Sequence, residues 1–315
     1  MTKKVVATAF GGPEVLTVIE EPLVDPGRGE ASVNVRAAGT NPYDYKLYSG
    51  VYGEDPSQLP LHLGAEVAGI VRSVGEGAEG PAGPVNPGDE VIAFPVQGGY
   101  ASELVVSVAS VVPKPSTLSF EEAAGLLLTG TTAAHALASV GVGAGDTVLL
   151  HGAAGGVGLM AVQLAVNAGA RVVGTSSEGG HEILRELGAE PVSHGAGLIE
   201  RVRAVAPEGI DAAIDTVGTD EAIDVSVALV PDRARIVTAV AFGRASELGI
   251  KAIGYGPGAD PGTEFRSAAR LELVRQAEEG HLRVIVARTY SLDDVSNAHR
   301  ELSSGHTHGK IVLVP

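Results

Sequence analysis

The sequence predicts an α/β protein with two domains, a β-rich N-terminal domain and a domain built on a doubly wound parallel sheet. Up to residue 120, short β-like runs alternate with turn residues, whereas between residues 147 and 243 strand-like and helix-like segments alternate. The length supports this division, because 315 residues exceed the usual size of a single domain.

The N-terminal part predicts an all-β, barrel-like unit. Turn signals such as GGP at 11–13 and NPGD at 86–89 separate its strands. The β-like runs lie at residues 5–10, 16–20, 31–38, 67–74, 90–94 and 101–106. From Ser119 the spacing becomes helical, and Glu122 three residues later completes a capping-box pattern. A second helix is predicted over 131–140.

The parallel sheet is predicted from strands that alternate with helices. The strand candidates are residues 148–151, 171–175, 191–193, 212–215 and 235–240. Residues 243–262 are rich in glycine and proline, which indicates a mobile or bridging segment. Residues 264–279 have helical spacing, and 283–290 and 310–314 return to β character, so we expect the tail to rejoin the first domain.

The turn after the first strand of this sheet carries the strongest functional signal. Strand-like residues 147–151 lead into Gly152, Gly155 and Gly158, and a helix-like run follows. Such glycines let the backbone approach phosphate oxygens, while the N–H groups of the helix N-terminus point at the anion. This pattern predicts a seat for the pyrophosphate of a dinucleotide. The strict motif G-x-G-x-x-G would need glycine where Ala153 stands, so a purely structural turn is the alternative.

Composition excludes several classes of function. The net charge of −16, with no cluster of Lys and Arg, argues against nucleic acid as a main partner. The absence of cysteine excludes disulfides, thiolate zinc sites, cysteine nucleophiles and iron–sulfur clusters, so redox chemistry would need a bound coenzyme. No stretch reaches the roughly eighteen apolar residues of a membrane span, and the N-terminal run is too short for a signal peptide. We therefore expect a soluble cytoplasmic protein with no membrane partner.

Short motifs run along nearly the whole chain. They are GGPEVL at 11–16, GTNPYD at 39–44, LGAEVAG at 63–69, GDEV at 88–91, GGYA at 98–101, GTTA at 130–133, DTVG at 215–218 and GKIVL at 309–313. Jointly they resemble the zinc-independent branch of the medium-chain dehydrogenase/reductases, the quinone oxidoreductase (zeta-crystallin-like) group. That branch usually has A-x-x-G-x-x-G at the turn, which explains Gly152 and Ala153.

The resemblance implies a fold and an absence of metal. It implies a GroES-like domain at 1–120, completed by 265–315, a Rossmann domain at 121–264, and a substrate cleft where the two meet. Zinc-dependent relatives have cysteine where Asn41 stands and histidine where Ala65 stands, so no catalytic zinc is expected. His62 with Asp44 and Glu66 would make a poor tetrahedral site.

The residues at the end of the second strand favour NADPH over NADH as the cofactor. At the end of the second strand, Thr175, Ser176 and Ser177 leave room and donors for a 2′-phosphate, where an acidic residue would select NADH. Ser176 and Ser177 could instead simply cap the next helix. His181 and Arg185 are the nearest bases. The expected cofactor-binding residues are Thr132, Gly152, Ala154, Gly155, Gly156, Val157, Gly158, Ser176, Ser177, Gly218, Ala241 and Phe242.

Catalytic candidates come from residues 41–52, which hold four of the seven tyrosines. Hydride transfer leaves negative charge on an acceptor oxygen, and a donor must stabilise that charge when zinc is absent. Asn41 and Tyr52 match family positions near substrate and nicotinamide, whereas Lys46 replaces a family tyrosine. Asp44 is expected to order this loop, and Lys310 to make a structural ion pair. The alternative for the tyrosines is interdomain packing.

These observations predict an NADPH-dependent reductase of small-molecule quinones or α,β-unsaturated carbonyls, with the two acceptor classes undistinguished. The alternatives are a non-catalytic NADPH-binding redox sensor or structural, crystallin-like protein, and a nicotinamide-dependent alcohol dehydrogenase. By resemblance, we expect a homodimer.

Overall fold

The computed structural model describes residues 1–305 and 307–315. Its chain divides into two compact units, residues 1–128 with 271–315 and residues 129–270. The sequence placed these boundaries at 120 and 264. Both observed boundaries fall inside helices. Within the described residues, no helix combines the length and the apolar character needed to cross a membrane.

The first unit is mainly β structure. Its first ten strands are β1 (Thr2–Ala7), β2 (Leu16–Glu21), β3 (Glu30–Gly39), β4 (Leu61–His62), β5 (Val67–Val74), β6 (Glu79–Gly80), β7 (Gly83–Pro84), β8 (Glu90–Ala93), β9 (Glu103–Ser107) and β10 (Val111–Pro113). The unit also contains two short helices, α1 (Pro42–Tyr48) between β3 and β4 and α2 (Phe120–Ala123) after β10. The capping box predicted at Ser119 is present, since Ser119 and Glu122 exchange hydrogen bonds.

The second unit contains a parallel sheet, confirming the predicted fold class. After α3 (Leu127–Ser139), its elements in chain order are β11 (Thr147–His151), α4 (Gly156–Asn167), β12 (Arg171–Ser176), α5 (His181–Glu186), β13 (Glu190–Ser193), α6 (Leu198–Val205), β14 (Ala212–Asp215), α7 (Asp220–Leu229), β15 (Ile236–Thr238), α8 (Phe242–Leu248) and β16 (Lys251–Ala252). All five pairings are parallel.

The strand order places the glycine turn at the centre of the sheet. The order β13-β12-β11-β14-β15-β16 reverses direction between β11 and β14. In doubly wound sheets, ligands bind outside the carboxyl ends of the strands at this switch point. The segments that follow β11 and β14 therefore form the expected binding edge of this unit.

One local prediction was wrong. The segment 243–262, expected to be mobile or bridging, contains most of α8 and the edge strand β16. Glycine content concealed the helix, because Gly249 lies at its C-cap with φ of +65° and ends it in the left-handed conformation that glycine favours. Strand β16 has only two residues, too few for a periodic signal.

Residues 271–315 of the tail belong to the first unit. Helix α9 (Thr263–Glu278) leads to β17 (Val286–Ser291), α10 (Val295–Ser304) and β18 (Lys310–Val314). Strand β18 pairs with β3, placing Leu313 opposite Ala38 and Val312 opposite Gly39. The buried core of this unit includes Leu313, Val295 and Ala298 from the tail.

Candidate active site

The glycine turn connects β11 to α4 through a backbone that has no room for a side chain at Gly152 or Gly158. Gly152 has φ of +73°, a conformation that glycine adopts at little cost. A Cβ on Gly158 would lie 2.2 Å from the carbonyl oxygen of Gly152, so helix and turn are in backbone contact. A Cβ on Gly155 would meet only that carbonyl, at 3.4 Å. Gly152 and Gly158 therefore fix the turn, while Gly155 keeps its outer side open.

The N-terminus of α4 is available to an anion. Its N-cap is Gly155, and no side chain accepts a hydrogen bond there. Gly156 and Val157 in the first turn are partly exposed. The first N–H groups of a helix have no partner within the helix, and the helix dipole adds partial positive charge. This cradle, which a Cβ on Gly155 would begin to fill, fits the pyrophosphate of a dinucleotide.

A buried carboxylate organises the neighbouring loops. Asp215 ends β14 and is fully buried. Its Oδ1 accepts the N–H groups of Val217 and Gly218, both at 2.9 Å, and its Oδ2 accepts the Thr238 hydroxyl at 2.6 Å. The Thr238 oxygen in turn accepts the N–H groups of Val240 and Ala241. Asp215 thus sets the loop after β14 directly and the loop after β15 through Thr238.

Thr216 links this arrangement to the glycine turn. Its hydroxyl donates to the carbonyl oxygen of His151 at 2.8 Å. Gly218 has φ of +80°, and a Cβ there would lie 2.5 Å from Val240 Cγ1. Two of the predicted cofactor residues, Gly218 and Ala241, are therefore held by a single hydrogen-bond network.

A cavity of about 390 Å³ lies elsewhere in the unit, but a larger one of about 780 Å³ is lined by these loops. Its walls include Gly218, Val240, Ala241 and Phe242. The ring of Phe242 lies against Gly256, where a Cβ would be 2.2 Å away. The structure thus brings together Gly218, Ala241 and Phe242. Thr132 lies on α3 and is nearly buried.

The end of β12 presents hydroxyl groups and a histidine. Ser176 Oγ donates to the carbonyl oxygen of Ser177 at 2.9 Å, and a Cβ on Gly180 would be 3.0 Å from Ser176 Oγ. His181 Nε2 lies 3.4 Å from the hydroxyl of Ser193 at the end of β13. Ser177 is exposed and occupies the N-cap position of the short helical turn that follows.

Sequence reasoning did not identify His151, which lies beneath the turn. It is buried, with Nδ1 3.3 Å from the Thr175 hydroxyl. Burial lowers the pKa of His151 to about 4, so the imidazole is neutral at neutral pH. A histidine directly before a glycine turn was the available signal.

In the first unit, Asn41 begins α1 and is nearly inaccessible, with 2% exposure. Its Oδ1 accepts a hydrogen bond from Lys310 Nζ at 2.7 Å, and its Nδ2 donates to the carbonyl oxygen of Gly39 at 3.3 Å. The ammonium cannot accept, so it must face the amide oxygen. Lys310 therefore fixes which way the Asn41 amide points.

Lys310 and Glu66 are both buried and attract each other electrostatically, but the described residues show no direct ion pair between them, so the predicted ion pair of Lys310 is not observed. Lys310 Nζ also donates to the carbonyl oxygen of Thr40 at 2.6 Å. Glu66 Oε1 accepts the N–H groups of Leu127 and Leu128 at the start of α3, whereas Oε2 has no hydrogen-bond partner among the described residues. Burial raises the pKa of Glu66 to about 7, and Lys310 opposes that shift. The sequence signal for Glu66 and Lys310 was a single charged residue within a run of apolar residues.

Asp44 orders the α1 segment, as the sequence predicted. Its Oδ2 accepts the N–H of Asn41 at 2.8 Å and the Tyr100 hydroxyl at 2.9 Å, and its Oδ1 accepts the N–H of Gly64. Among the residues that the structure describes, no group of three or more His, Asp or Glu is arranged to hold a metal ion.

The tyrosines of residues 41–52 separate into two groups. Tyr48 is buried at 1% exposure, which fits the packing alternative for this tyrosine and not contact with an acceptor. Helix periodicity turns Tyr48 towards the core. Tyr52 is 50% exposed, and its ring lies 6.3 Å from that of Tyr43. Lys46 is partly buried, and this desolvation lowers the pKa of its ammonium.

We predict that Lys310→Met destabilises the protein by about 3 kcal/mol at about pH 8, because it removes the buried positive charge that favours the ionised form of Glu66. The pKa of Glu66 would rise further. When the pKa of a carboxyl is higher in the folded state than in the unfolded state, the protein loses stability as the pH rises from the unfolded-state pKa, 4.5 for Glu66, through the folded-state pKa. The loss should therefore be larger at about pH 8 than at about pH 5, measured by urea unfolding.

The matched control is the double variant Lys310→Met/Glu66→Gln, which removes both charges. It should recover most of the lost stability and its pH dependence. Equal destabilisation in the single and double variants would show that Lys310 does not act through Glu66.

Known proteins match this chain in both sequence and fold. Residues 27–116 match the family model of the alcohol dehydrogenase GroES-like domain, and residues 187–313 match that of the zinc-binding dehydrogenases. Mouse quinone oxidoreductase is 32% identical over 97% of this chain and 95% of its own. The Escherichia coli quinone oxidoreductase, solved in complex with NADPH, is 29% identical, with a TM-score of 0.86 and 100% of both chains covered.

A third relative has a different name. The structure of an NAD-dependent alcohol dehydrogenase is 30% identical, with a TM-score of 0.86 and 99% of both chains covered. The family resemblance read from the short motifs is confirmed across nearly the full length. The chain belongs to the zinc-independent medium-chain dehydrogenase/reductases, in the quinone oxidoreductase (zeta-crystallin-like) family.

Proposed function

We propose that the protein is an NADPH-dependent reductase that transfers hydride to a quinone or an α,β-unsaturated carbonyl. The observation that carries this proposal is the uncapped N-terminus of α4, preceded by the glycine cradle at the switch point of the sheet. The NADPH complex of the E. coli relative supports the same cofactor.

Residues of the second unit would hold the dinucleotide. Ala154, Gly155, Gly156, Val157 and Gly158 would surround the pyrophosphate with backbone N–H groups. Gly218, Ala241, Phe242 and Thr132 are the proposed nicotinamide side. The hydroxyls at the end of β12 and the imidazole of His181 supply donors for a 2′-phosphate, which favours NADPH over NADH.

The chemistry needs one hydride and one proton for each acceptor. When bound, NADPH supplies the hydride, and the protein must stabilise or protonate the acceptor oxygen. Desolvation lowers the pKa of Lys46, which makes its ammonium a stronger acid than usual, and raises the pKa of Tyr52, which makes its phenol a weaker acid than usual. We therefore assign the proton to Lys46 and a hydrogen-bonding role to Tyr52. Asn41, nearly inaccessible, acts by positioning α1.

Two alternative functions can be distinguished from a reductase by experiment. A redox sensor or structural protein would bind NADPH without turnover, and an alcohol dehydrogenase would reduce a nicotinamide with an alcohol. The partly desolvated Lys46 favours a reductase over the non-catalytic alternative. By family resemblance, we further propose a homodimer located in the cytoplasm.

We predict that Gly158→Ala weakens NADPH binding at least about tenfold, because its Cβ would displace the backbone at Gly152. Gly143→Ala is the matched control, since a Cβ at Gly143 meets nothing within 4 Å. Isothermal titration calorimetry measures both, with NADPH and with NADH. Unchanged affinity in Gly158→Ala would contradict the cradle. Equal affinities of the unmodified protein for NADPH and NADH would refute only the role of Ser176, Ser177 and His181.

A second experiment tests the reaction. Oxidation of NADPH is followed with 1,4-benzoquinone, phenanthrenequinone and 1-octen-3-one as acceptors. We expect turnover, and we expect Lys46→Met to lower kcat by about 100-fold, the range of a lost general acid, whereas Tyr52→Phe costs less than about tenfold.

Lys3→Met, which removes an exposed lysine paired with Asp293, is the control and should keep full activity. Tight NADPH binding with no turnover of any acceptor would favour the non-catalytic alternative. Full activity in Lys46→Met would remove Lys46 as the proton donor.

A further inference from the structure

Four buried polar side chains of the first unit form a continuous series of hydrogen bonds. The Tyr48 hydroxyl lies 2.8 Å from His299 Nδ1, His299 Nε2 lies 3.2 Å from the Tyr100 hydroxyl, and that hydroxyl donates to Asp44 Oδ2 at 2.9 Å. Tyr48, Tyr100, Asp44 and His299 are each at most 1% exposed. The two ends of the series are both residues of α1, so it closes a ring between that helix, the loop at Tyr100 and α10.

The order of donors in this ring is determined. Burial raises the pKa of Asp44 to about 6, so at neutral pH it is an ionised acceptor, supported by two backbone N–H groups. The Tyr100 hydroxyl has one proton and donates it in a hydrogen bond to this carboxylate. Its oxygen can then only accept from His299, and Nε2 must carry the imidazole proton.

The remaining nitrogen completes the assignment. Burial lowers the pKa of His299 to about 4, so the ring is neutral and Nδ1 has a lone pair. Tyr48 therefore donates to Nδ1. In the reverse order, Nδ1–H would donate to Tyr48 and the Tyr100 hydroxyl would donate to Nε2. Tyr100 would then point a lone pair at the Asp44 carboxylate, and Asp44 would lose that donor. Every proton in the order Tyr48, His299, Tyr100, Asp44 has an acceptor.

We propose that His299, held as the Nε2–H tautomer, is a positioning residue that fixes α1, the helix carrying Lys46, from the C-terminal part of the chain. Asp44 holds the first turn of α1 through the N–H of Asn41, and Tyr48 is its last residue. The ring thus holds both ends of this seven-residue helix by hydrogen bonds, and a helix of that length is too short to be stable alone. The kinetic part of this inference rests on the proposed reductase function.

Three substitutions at His299 separate the two halves of the ring. His299→Gln places an amide donor near the Nε2 position and can still serve Tyr100. His299→Asn places an amide oxygen near the Nδ1 position and can serve only Tyr48. His299→Phe removes both bonds and keeps a ring. Because the Tyr100 half leads to Asp44 and the start of α1, the glutamine variant should be the best substitute.

With phenanthrenequinone as acceptor, we expect His299→Phe and His299→Asn to lower kcat about tenfold while KM changes less than about twofold, and His299→Gln to stay within about threefold of the unmodified protein. NADPH affinity should be unchanged in all three. Val295→Ala is the control, because Val295 is buried on the same helix but lies outside the ring. It should lower stability and leave kcat unaltered. An equal fall in kcat for Val295→Ala and His299→Phe would overturn the proposal.

A second measurement does not depend on turnover. Nitrogen-15 NMR of histidine-labelled protein, with the His299 signals assigned by their loss in His299→Phe, reports the tautomer. We expect the Nε2 signal of a protonated nitrogen and the Nδ1 signal of an unprotonated one at neutral pH. The opposite tautomer, or a doubly protonated ring, would overturn the proposal. Failure to reduce any acceptor would count against the proposed function alone, since the tautomer would still decide the order of the ring.

Discussion

Buried carboxylates that accept backbone N–H groups are the constraint on which both units depend. Asp44 accepts the N–H groups of Asn41 and Gly64, Glu66 those of Leu127 and Leu128, and Asp215 those of Val217 and Gly218. An ionised carboxylate without such donors would be very costly in a protein interior. Each acid therefore holds its loop in one conformation, since departure would leave the charge unsatisfied.

The constraint is strongest in the second unit. Asp215 stands at the switch point of the sheet, and Thr238 extends its reach to the loop after β15. The glycines supply close approach and left-handed turns, but glycine itself specifies no single conformation. The hydrogen bonds to Asp215 and from Thr216 fix one conformation of the glycine turn and the loops beside it. The glycine turn is therefore one part of a site whose rigidity comes from the neighbouring strand ends.

The first unit applies the same principle to the segment that carries the proposed catalytic residues. Asp44 and the ring through His299 hold α1, and Lys310 orients the amide of Asn41. Such preorganisation places donors before the reaction begins, which is how enzymes stabilise charge that develops on an acceptor oxygen. Lys46 differs from the buried residues because it remains partly accessible, as the proposed proton donor must be.

Sequence patterns predicted the parts of this structure that depend on local order. Strand alternation, the capping box at Ser119 and the turn at Gly152 were all readable, because each follows from residues close in the chain. The links between Tyr48 and His299 and between Asn41 and Lys310 were not, since they join residues about 250 or more positions apart. Helix α8 was missed because glycines surround it. The motif DTVG marked the position of Asp215 but did not reveal its bond to Thr238.

The most direct test of this account is the affinity of Asp215→Asn for NADPH, measured by calorimetry beside Asp211→Asn. Asp211 is an exposed acid of the same unit that accepts the N–H of Thr147. At Asp215, the amide would direct N–H groups at Thr238, whose oxygen already accepts two. The account predicts at least about tenfold weaker binding for Asp215→Asn with the circular dichroism spectrum retained, and no change for Asp211→Asn. Wild-type affinity in a folded Asp215→Asn variant would contradict it.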